Sequence, residues 1–263
     1  MPLFAVLAGI GGLYLRFLER ANVFDQLTGL PERNATFTLW LFILSAAFII
    51  SIIVFAIYAY AKHRPSLGFE NAFGTDPLAY PIIFTFIGLV WLAGTYLFFS
   101  DLSQLGSIAT IDVIFIVFSS LAAISTTFFA IEMFQDSRRK APYALSVVPT
   151  LFVCFWLILM YRQNASNPVL LDYVYKCLAL MASALSFYFT SGFLYGKPAP
   201  GKAIFTYFAA IYFCTVTLAD DHPLSIKIIY FAMIAVNIIH SSMLLKNLRR
   251  KEKGYPGGFN QHI

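Results

Sequence analysis

The chain of 263 residues is 59% hydrophobic and 12% charged, whereas roughly 25% of the residues in an ordinary soluble domain are charged. It contains 28 Phe and 15 Tyr, more apolar surface than a soluble core can bury, and this composition excludes a soluble globular domain. The net charge of +5 comes from Lys and Arg residues that lie between apolar segments and at the C-terminal end, a pattern that argues against nucleic-acid binding.

The first apolar segment covers residues 3–18, is interrupted by three glycines and ends near Arg16, Glu19 and Arg20. It has no basic start and no clear cleavage site, so a cleaved signal peptide is not expected. With about 15 residues, it would cross only a thin bilayer or lie partly in the interface. We expect a short N-terminal membrane helix, for which a full crossing is favoured over an interfacial position.

Seven longer apolar segments follow, each close to or above the roughly 17 residues that a helix needs to cross the hydrocarbon layer. They cover residues 35–61, 80–99, 108–131, 143–161, 169–195, 203–219 and 224–245. Because the connectors are short, consecutive spans are expected to pack as antiparallel neighbours. The sequence therefore predicts an all-α fold: a single polytopic membrane bundle over residues 1–250, with seven transmembrane helices plus the short N-terminal helix, and a flexible tail at residues 251–263.

Lysines and arginines fall on alternate connectors, and the positive-inside rule converts this pattern into an orientation. The basic side carries Lys62, Arg64, Arg138, Arg139, Lys140, Lys197, Lys202 and the C-terminal cluster Lys246–Lys253. We therefore expect a cytoplasmic C-terminus, an external start of the first long span, and a location in the cell membrane. The C-terminal cluster is interpreted as a topology anchor, with binding of anionic lipid headgroups as the alternative.

Lys176 and Lys227 are cations that the orientation rule does not explain. Each lies in the N-terminal part of a span that starts outside, where the helix dipole disfavours a positive charge. In one interpretation, both side chains reach to the outer surface and Lys176 pairs with Asp172, four residues earlier. In the other, the two lysines face a common cavity that opens outward and binds an anionic or zwitterionic solute.

The second interpretation defines a candidate ligand site in which two aspartates supply counter-charges and two tyrosines line the cavity. Its residues are Lys176, Asp172, Lys227, Asp112, Tyr173 and Tyr175. The acidic residues indicate a site less strongly than the lysines, because capping and the helix dipole favour carboxylates near N-terminal helix ends. Capping and the helix dipole account for Asp112, Asp172, Asp220 and Asp221.

The last span carries a polar face formed by Asn237, His240 and Ser241. Their spacing of three and four residues places them on one side of a helix. Hydrogen bonding between helices explains such a face, and a polar path or proton relay is the alternative.

Chemistry that requires a metal, a cofactor or a catalytic nucleophile is not indicated. Cys154, Cys177 and Cys214 each lie within an apolar segment without metal-ligand spacing, which is typical of small buried hydrophobic residues. The chain contains no GxxxxGK[ST], HExxH or GxSxG motif. We therefore expect no cofactor, and an enzyme is not the favoured interpretation.

The leading hypothesis is a multi-pass membrane protein that binds or transports a small anionic or zwitterionic solute through an outward-facing polar cavity. The alternative is a receptor-like or scaffold subunit, which would act by contacting a membrane-protein partner and would not transport. An enzyme acting on a lipid comes third. In all three cases the bilayer itself is the first partner.

Overall fold

The computed structural model describes residues 2–23, 36–64, 69–74, 79–104, 106, 108–134, 143–166 and 169–250. These residues form an all-α bundle, as predicted. The helices are α1 (Pro2–Asn22), α2 (Thr36–Lys62), α3 (Phe69–Phe73), α4 (Ala79–Gln104), α5 (Thr110–Phe134), α6 (Tyr143–Asn164), α7 (Leu170–Leu194), α8 (Pro200–Thr217) and α9 (Leu224–Asn247). The predicted tail at 251–263 lies outside the described residues.

Six of the described helices form a closed ring, in which each helix packs against the next. The ring runs from α4 through α5, α6, α7 and α8 to α9, and α9 closes it by packing against α4. Helices α1 and α2 lie outside the ring as a pair, and both pack against α8. Helix α8 is therefore surrounded by α1, α2, α7 and α9.

The long helices alternate in direction, so each end of the bundle collects both N-terminal and C-terminal helix ends. At one end, residues 63–64 pair with residues 249–250 in a short antiparallel bridge, which brings the ends of α2 and α9 together. We call this the basic end, because Lys197, Lys202 and Lys246 also lie here. At the opposite end, the Ser225 hydroxyl donates to Asp101 at 3.0 Å, which joins the start of α9 to the end of α4.

Seven of the described helices are long and apolar enough to cross a membrane, which makes the chain a multi-pass membrane protein. This set contains α1, α2, α4, α5, α6, α7 and α9. It does not contain α8, although the sequence predicts a span there, because the 18 residues of α8 include Pro200, Gly201 and Lys202 as well as polar Thr and Tyr side chains, and these lower its hydropathy. Nearly all of α8 is buried against other helices, so it has little need of a lipid-compatible surface.

Helix α1 differs from the expectation for the N-terminal segment. It is not broken by its glycines and extends past the predicted residues 3–18, because it runs for 21 residues from Pro2 to Asn22. At 1.5 Å per residue its length is about 31 Å, close to the thickness of the hydrocarbon layer. The prediction was too short because it counted only the apolar residues and treated the charged ones as the end of the helix.

Aromatic side chains fill the middle of the ring. Trp91 of α4 is fully buried and packs against Phe152 of α6 and Phe187 of α7, with ring centroids 5.9 and 6.2 Å apart. Trp156 of α6 lies 4.8 Å from Tyr230 of α9. These contacts cross the ring, so its interior in this conformation is a packed core.

Helix α3 covers the basic end of the bundle. The Phe73 ring packs against Phe193 of α7 and His240 of α9, with centroids 5.2 and 5.4 Å apart. The Asn247 amide donates to the carbonyl oxygens of Ala72 and Gly74 at 3.0 and 3.1 Å. Helix α3, which lies between α2 and α4 in the chain, thus packs onto the ends of α7 and α9.

Candidate functional site

A group of charged side chains lies at the end of the bundle opposite the basic end. We call it the charged cluster, and this end the cluster end. It comprises Arg16, Glu19, Arg20, Asp172, Lys176, Asp220, His222 and Lys227. These residues come from α1, α7, the connector between α8 and α9, and the start of α9.

Arg16 is the centre of the charged cluster and is fully buried. Its Nε donates to Asp220 at 2.8 Å, its Nη1 to Glu19 at 2.7 Å, and its Nη2 to the backbone oxygen of Asp172 at 3.0 Å. The planar guanidinium group suits this arrangement because its donors point in fixed directions. One side chain therefore joins α1 to α7 and to the connector after α8.

The local sequence of α1 explains how these charges reach the interior. The buried face of α1 consists of residues spaced three or four apart, and these are Ala5, Gly9, Gly12, Arg16 and Glu19. A Cβ atom on Gly9 or Gly12 would lie only 2.9 or 2.6 Å from side-chain atoms of Thr215 or Val216 in α8. The glycines thus allow α1 to approach α8 closely, and the same face carries Arg16 and Glu19 inward.

The arginines of the charged cluster engage all three of its carboxylates. Arg16 binds Glu19 and Asp220, and Arg20 binds Asp172 at 3.0 Å and lies 3.5 Å from Asp220. The Thr38 hydroxyl of α2 donates to Glu19 at 2.6 Å. Asp172 therefore forms its ion pair with Arg20 of another helix.

A layer of hydroxyl groups lies beneath Arg16. The guanidinium carbon of Arg16 is 5.3 Å from the centre of the Tyr175 ring, a distance suited to a cation–π interaction. The Ser45 hydroxyl is 3.2 Å from that of Tyr175 and 2.8 Å from that of Tyr212. Tyr175 is buried in this layer, so the structure places it below the surface of the cluster end.

Lys176 and Lys227 differ from the arginines. Both are partly exposed, and neither forms an ion pair within the part of the chain that the structure describes. Both lie close to His222, where burial lowers the pKa of the imidazole to about 3 and the two ammonium groups act in the same direction. His222 is consequently neutral at physiological pH, and the positive charge around it belongs to Lys176, Lys227 and Arg20.

Two buried polar atoms of the charged cluster have no hydrogen-bond partner among the described residues. They are Oδ2 of Asp220 and Nε2 of His222. Burial raises the pKa of Asp220, although Arg16 opposes this shift. Polar atoms without partners are uncommon in protein interiors.

The residues of the predicted ligand site occupy different surroundings. Lys176, Asp172 and Lys227 lie in the charged cluster, and Tyr173 is partly buried near the start of α7. The Asp112 carboxylate accepts a hydrogen bond from the backbone N–H of Ala109 at 3.1 Å. It therefore acts as a cap of α5, and among the described residues no ion pair joins it to the two lysines.

The predicted polar path of α9 lies towards the basic end. Asn237 and Ser241 are buried, and each donates to a backbone oxygen of its own helix, at Met233 and Ile238 respectively. The His240 ring lies 5.1, 5.4 and 5.7 Å from the rings of Phe84, Phe73 and Tyr207. The hydrogen bonds of Asn237 and Ser241 thus stay within α9, and His240 sits among aromatic rings.

Sequence reasoning did not select several residues of the charged cluster: Arg16, Glu19, Arg20, Asp220 and His222. A signal for two of them was present, because Arg16 and Glu19 continue the helical spacing of the small residues before them. From the sequence alone, the dipole of the following helix explains Asp220. It lies instead in the connector before α9 and is bound by Arg16.

Comparison with known proteins adds no assignment, because the chain matches no protein-family model, no curated protein and no solved structure. Among the described residues, no group of three or more His, Cys, Asp or Glu side chains is arranged to hold a metal ion.

Proposed function

We propose that the protein binds a small anionic or zwitterionic solute at the cluster end, with Lys176 and Lys227 attracting the anionic group. The observation that carries this proposal is the uneven pairing of charges in the cluster. The carboxylates are engaged by Arg16 and Arg20, whereas the two lysines have no ion pair within the described chain.

The position of the lysines supports an external solute. Lys176 lies six residues after Leu170, the first residue of α7, which corresponds to about 9 Å along the helix axis. A cation at that depth is partly desolvated, so an incoming anion offsets a cost that the free protein bears. Ionisable residues inside membrane bundles commonly mark binding or transport sites for this reason.

The arginine pairs give the site a stable frame. Because Arg16 is fully buried and binds three acceptors, the start of α7 and the connector after α8 are held against α1. Asp172 is paired with Arg20, but its side chain is 31% exposed, so it can also bind the ammonium group of a zwitterion.

Binding is the activity proposed for this conformation, since transport through the packed ring would require its helices to move.

Native mass spectrometry of the protein released gently from its own membrane tests this proposal. We expect a small-molecule adduct on the wild type and on a Lys197→Met/Lys246→Met control, which removes two exposed lysines at the basic end. The adduct should be lost from Lys176→Met/Lys227→Met. A thermal-shift panel of carboxylates, phosphate and amino acids, applied to the same three proteins, then identifies the solute class.

Two results would contradict the proposal. One is a small-molecule adduct that the Lys176→Met/Lys227→Met variant retains in full. The other is a stable second polypeptide with no small-molecule adduct, which would favour the receptor-like or scaffold subunit.

A further inference from the structure

A large apolar groove lies at the basic end of the bundle, away from the charged cluster. Its volume is about 750 Å³, within the range of small-molecule sites in proteins. Helices α2, α7 and α8 form its walls. The lining residues include Ala56, Ile57, Leu185, Lys202 and Thr206.

The groove has the length of one leaflet of a bilayer. Leu185 lines it and lies nine residues before the end of α7 at Leu194, which corresponds to about 14 Å along the helix. Half of the roughly 30 Å hydrocarbon layer is about 15 Å. The lining side chains of Ile57 and Leu185 are 64% and 47% exposed, so the groove opens to the surroundings of the bundle where lipid chains lie.

Charge in the groove is confined to the end nearest the membrane surface. Of its lining side chains, Lys202 and Thr206 are the polar ones. The Thr206 hydroxyl donates to the backbone oxygens of Lys202 and Ala203 at 3.1 and 3.0 Å, so it is engaged within α8. The exposed ammonium group of Lys202 thus gives the mouth of an otherwise apolar groove a positive charge.

We propose that the groove binds one acyl chain of an anionic glycerophospholipid, whose phosphate is held by Lys202. An acyl chain matches the apolar walls and their leaflet length, and the phosphate matches the lysine in charge. A Lys side chain near the membrane surface attracts anionic headgroups, and the free N–H groups at the start of α8 add to this attraction. This site is separate from the charged cluster and does not depend on the function proposed there.

Native mass spectrometry of the delipidated full-length protein in detergent, titrated with phosphatidylglycerol or phosphatidylcholine of identical acyl chains, tests the groove. The wild type should bind phosphatidylglycerol more tightly. Lys202→Gln should weaken phosphatidylglycerol binding about fivefold, and phosphatidylcholine binding much less, because the choline cation already compensates the phosphate charge of that lipid. Ala56→Phe places a ring in the groove and should reduce binding of both lipids at least tenfold.

Matched controls separate this site from general membrane attraction. Lys246→Gln removes an exposed charge of α9 at the same end of the bundle as the groove. Ile50→Phe enlarges a side chain of α2 that is 62% exposed and does not line the groove. Both should bind phosphatidylglycerol as the wild type does. Size-exclusion profiles and melting temperatures of all variants show whether they are folded, and the two groove variants test the site independently.

Three outcomes would overturn the proposal. The first is equal binding of the two lipids by the wild type, and the second is an equal loss of phosphatidylglycerol in Lys246→Gln and Lys202→Gln. The third is unchanged binding in folded Ala56→Phe, which would show that the lipid lies elsewhere.

Discussion

Arg16 is bound by acceptors from α1, α7 and the connector between α8 and α9, and it has no contact with solvent. An ion pair in a low-dielectric interior adds little net stability, because both charges lose their hydration. Removal of one partner has a much larger effect, since it leaves the other charges buried and uncompensated. The Arg16 guanidinium binds two fully buried carboxylates, so its removal should lower the free energy of unfolding strongly.

We therefore expect Arg16→Met to lower the free energy of unfolding by about 3–5 kcal/mol. Unfolding in mixed detergent, followed by circular dichroism, measures this difference. Arg162→Met is a suitable control, because Arg162 is exposed at the end of α6, and its replacement should change stability by less than about 0.5 kcal/mol. Equal stability of Arg16→Met and the wild type would show that the buried pairs are not required for folding.

At the scale of elements, the packing of α1 against α8 decides whether the charged cluster can form. Gly9 and Gly12 face α8, whereas Gly11 points elsewhere: a Cβ on Gly11 would lie 3.8 Å from Leu44, an ordinary contact distance. Adjacent glycines in one helix therefore have different roles. Those that face α8 permit close approach, and Gly11 has no such requirement.

Two alanine substitutions should show this difference with opposite signs. Gly12→Ala places a Cβ only 2.6 Å from a methyl carbon of Val216. This overlap should destabilise the protein by about 1–3 kcal/mol. Gly11→Ala meets no such obstacle and should stabilise it by about 0.5–1 kcal/mol through helix propensity. Melting temperatures of the two variants in one detergent provide the test, and a stabilising Gly12→Ala would contradict the packing described here.

At the scale of the whole molecule, the alternating helices separate a basic end from the cluster end. The structure determines which termini share an end, but the direction in the membrane comes from the distribution of Lys and Arg in the sequence. The cytoplasmic position of the basic end, and of the C-terminal tail beyond the described residues, therefore stays a prediction.

Cysteine labelling in intact cells tests this orientation. In a background with Cys154, Cys177 and Cys214 replaced by alanine, Ser103→Cys at the cluster end should react with a membrane-impermeant maleimide. Lys197→Cys at the basic end should react only after permeabilisation. Both positions are exposed, so a difference reports on sidedness, and the reverse pattern would invert the proposed topology.

The sequence by itself determined that this is an all-helical membrane bundle, and it located the long helices to within a few residues. It did so because a bilayer requires long apolar segments whose backbone hydrogen bonds are satisfied internally. It also indicates Lys176 and Lys227 as candidate site residues, since a cation near the start of a membrane helix is unfavourable in any fold, and their role stays a prediction.

The tertiary structure alone decided which helices meet. Hydropathy reports how apolar a helix is and which face is polar, but it does not identify the partner of that face. Helix α8 could not be recognised as the surrounded helix, and Arg16 could not be assigned to Asp220, which lies 204 residues away in the chain. The charged cluster and the apolar groove both arise from such distant contacts, because each is built where several helices converge.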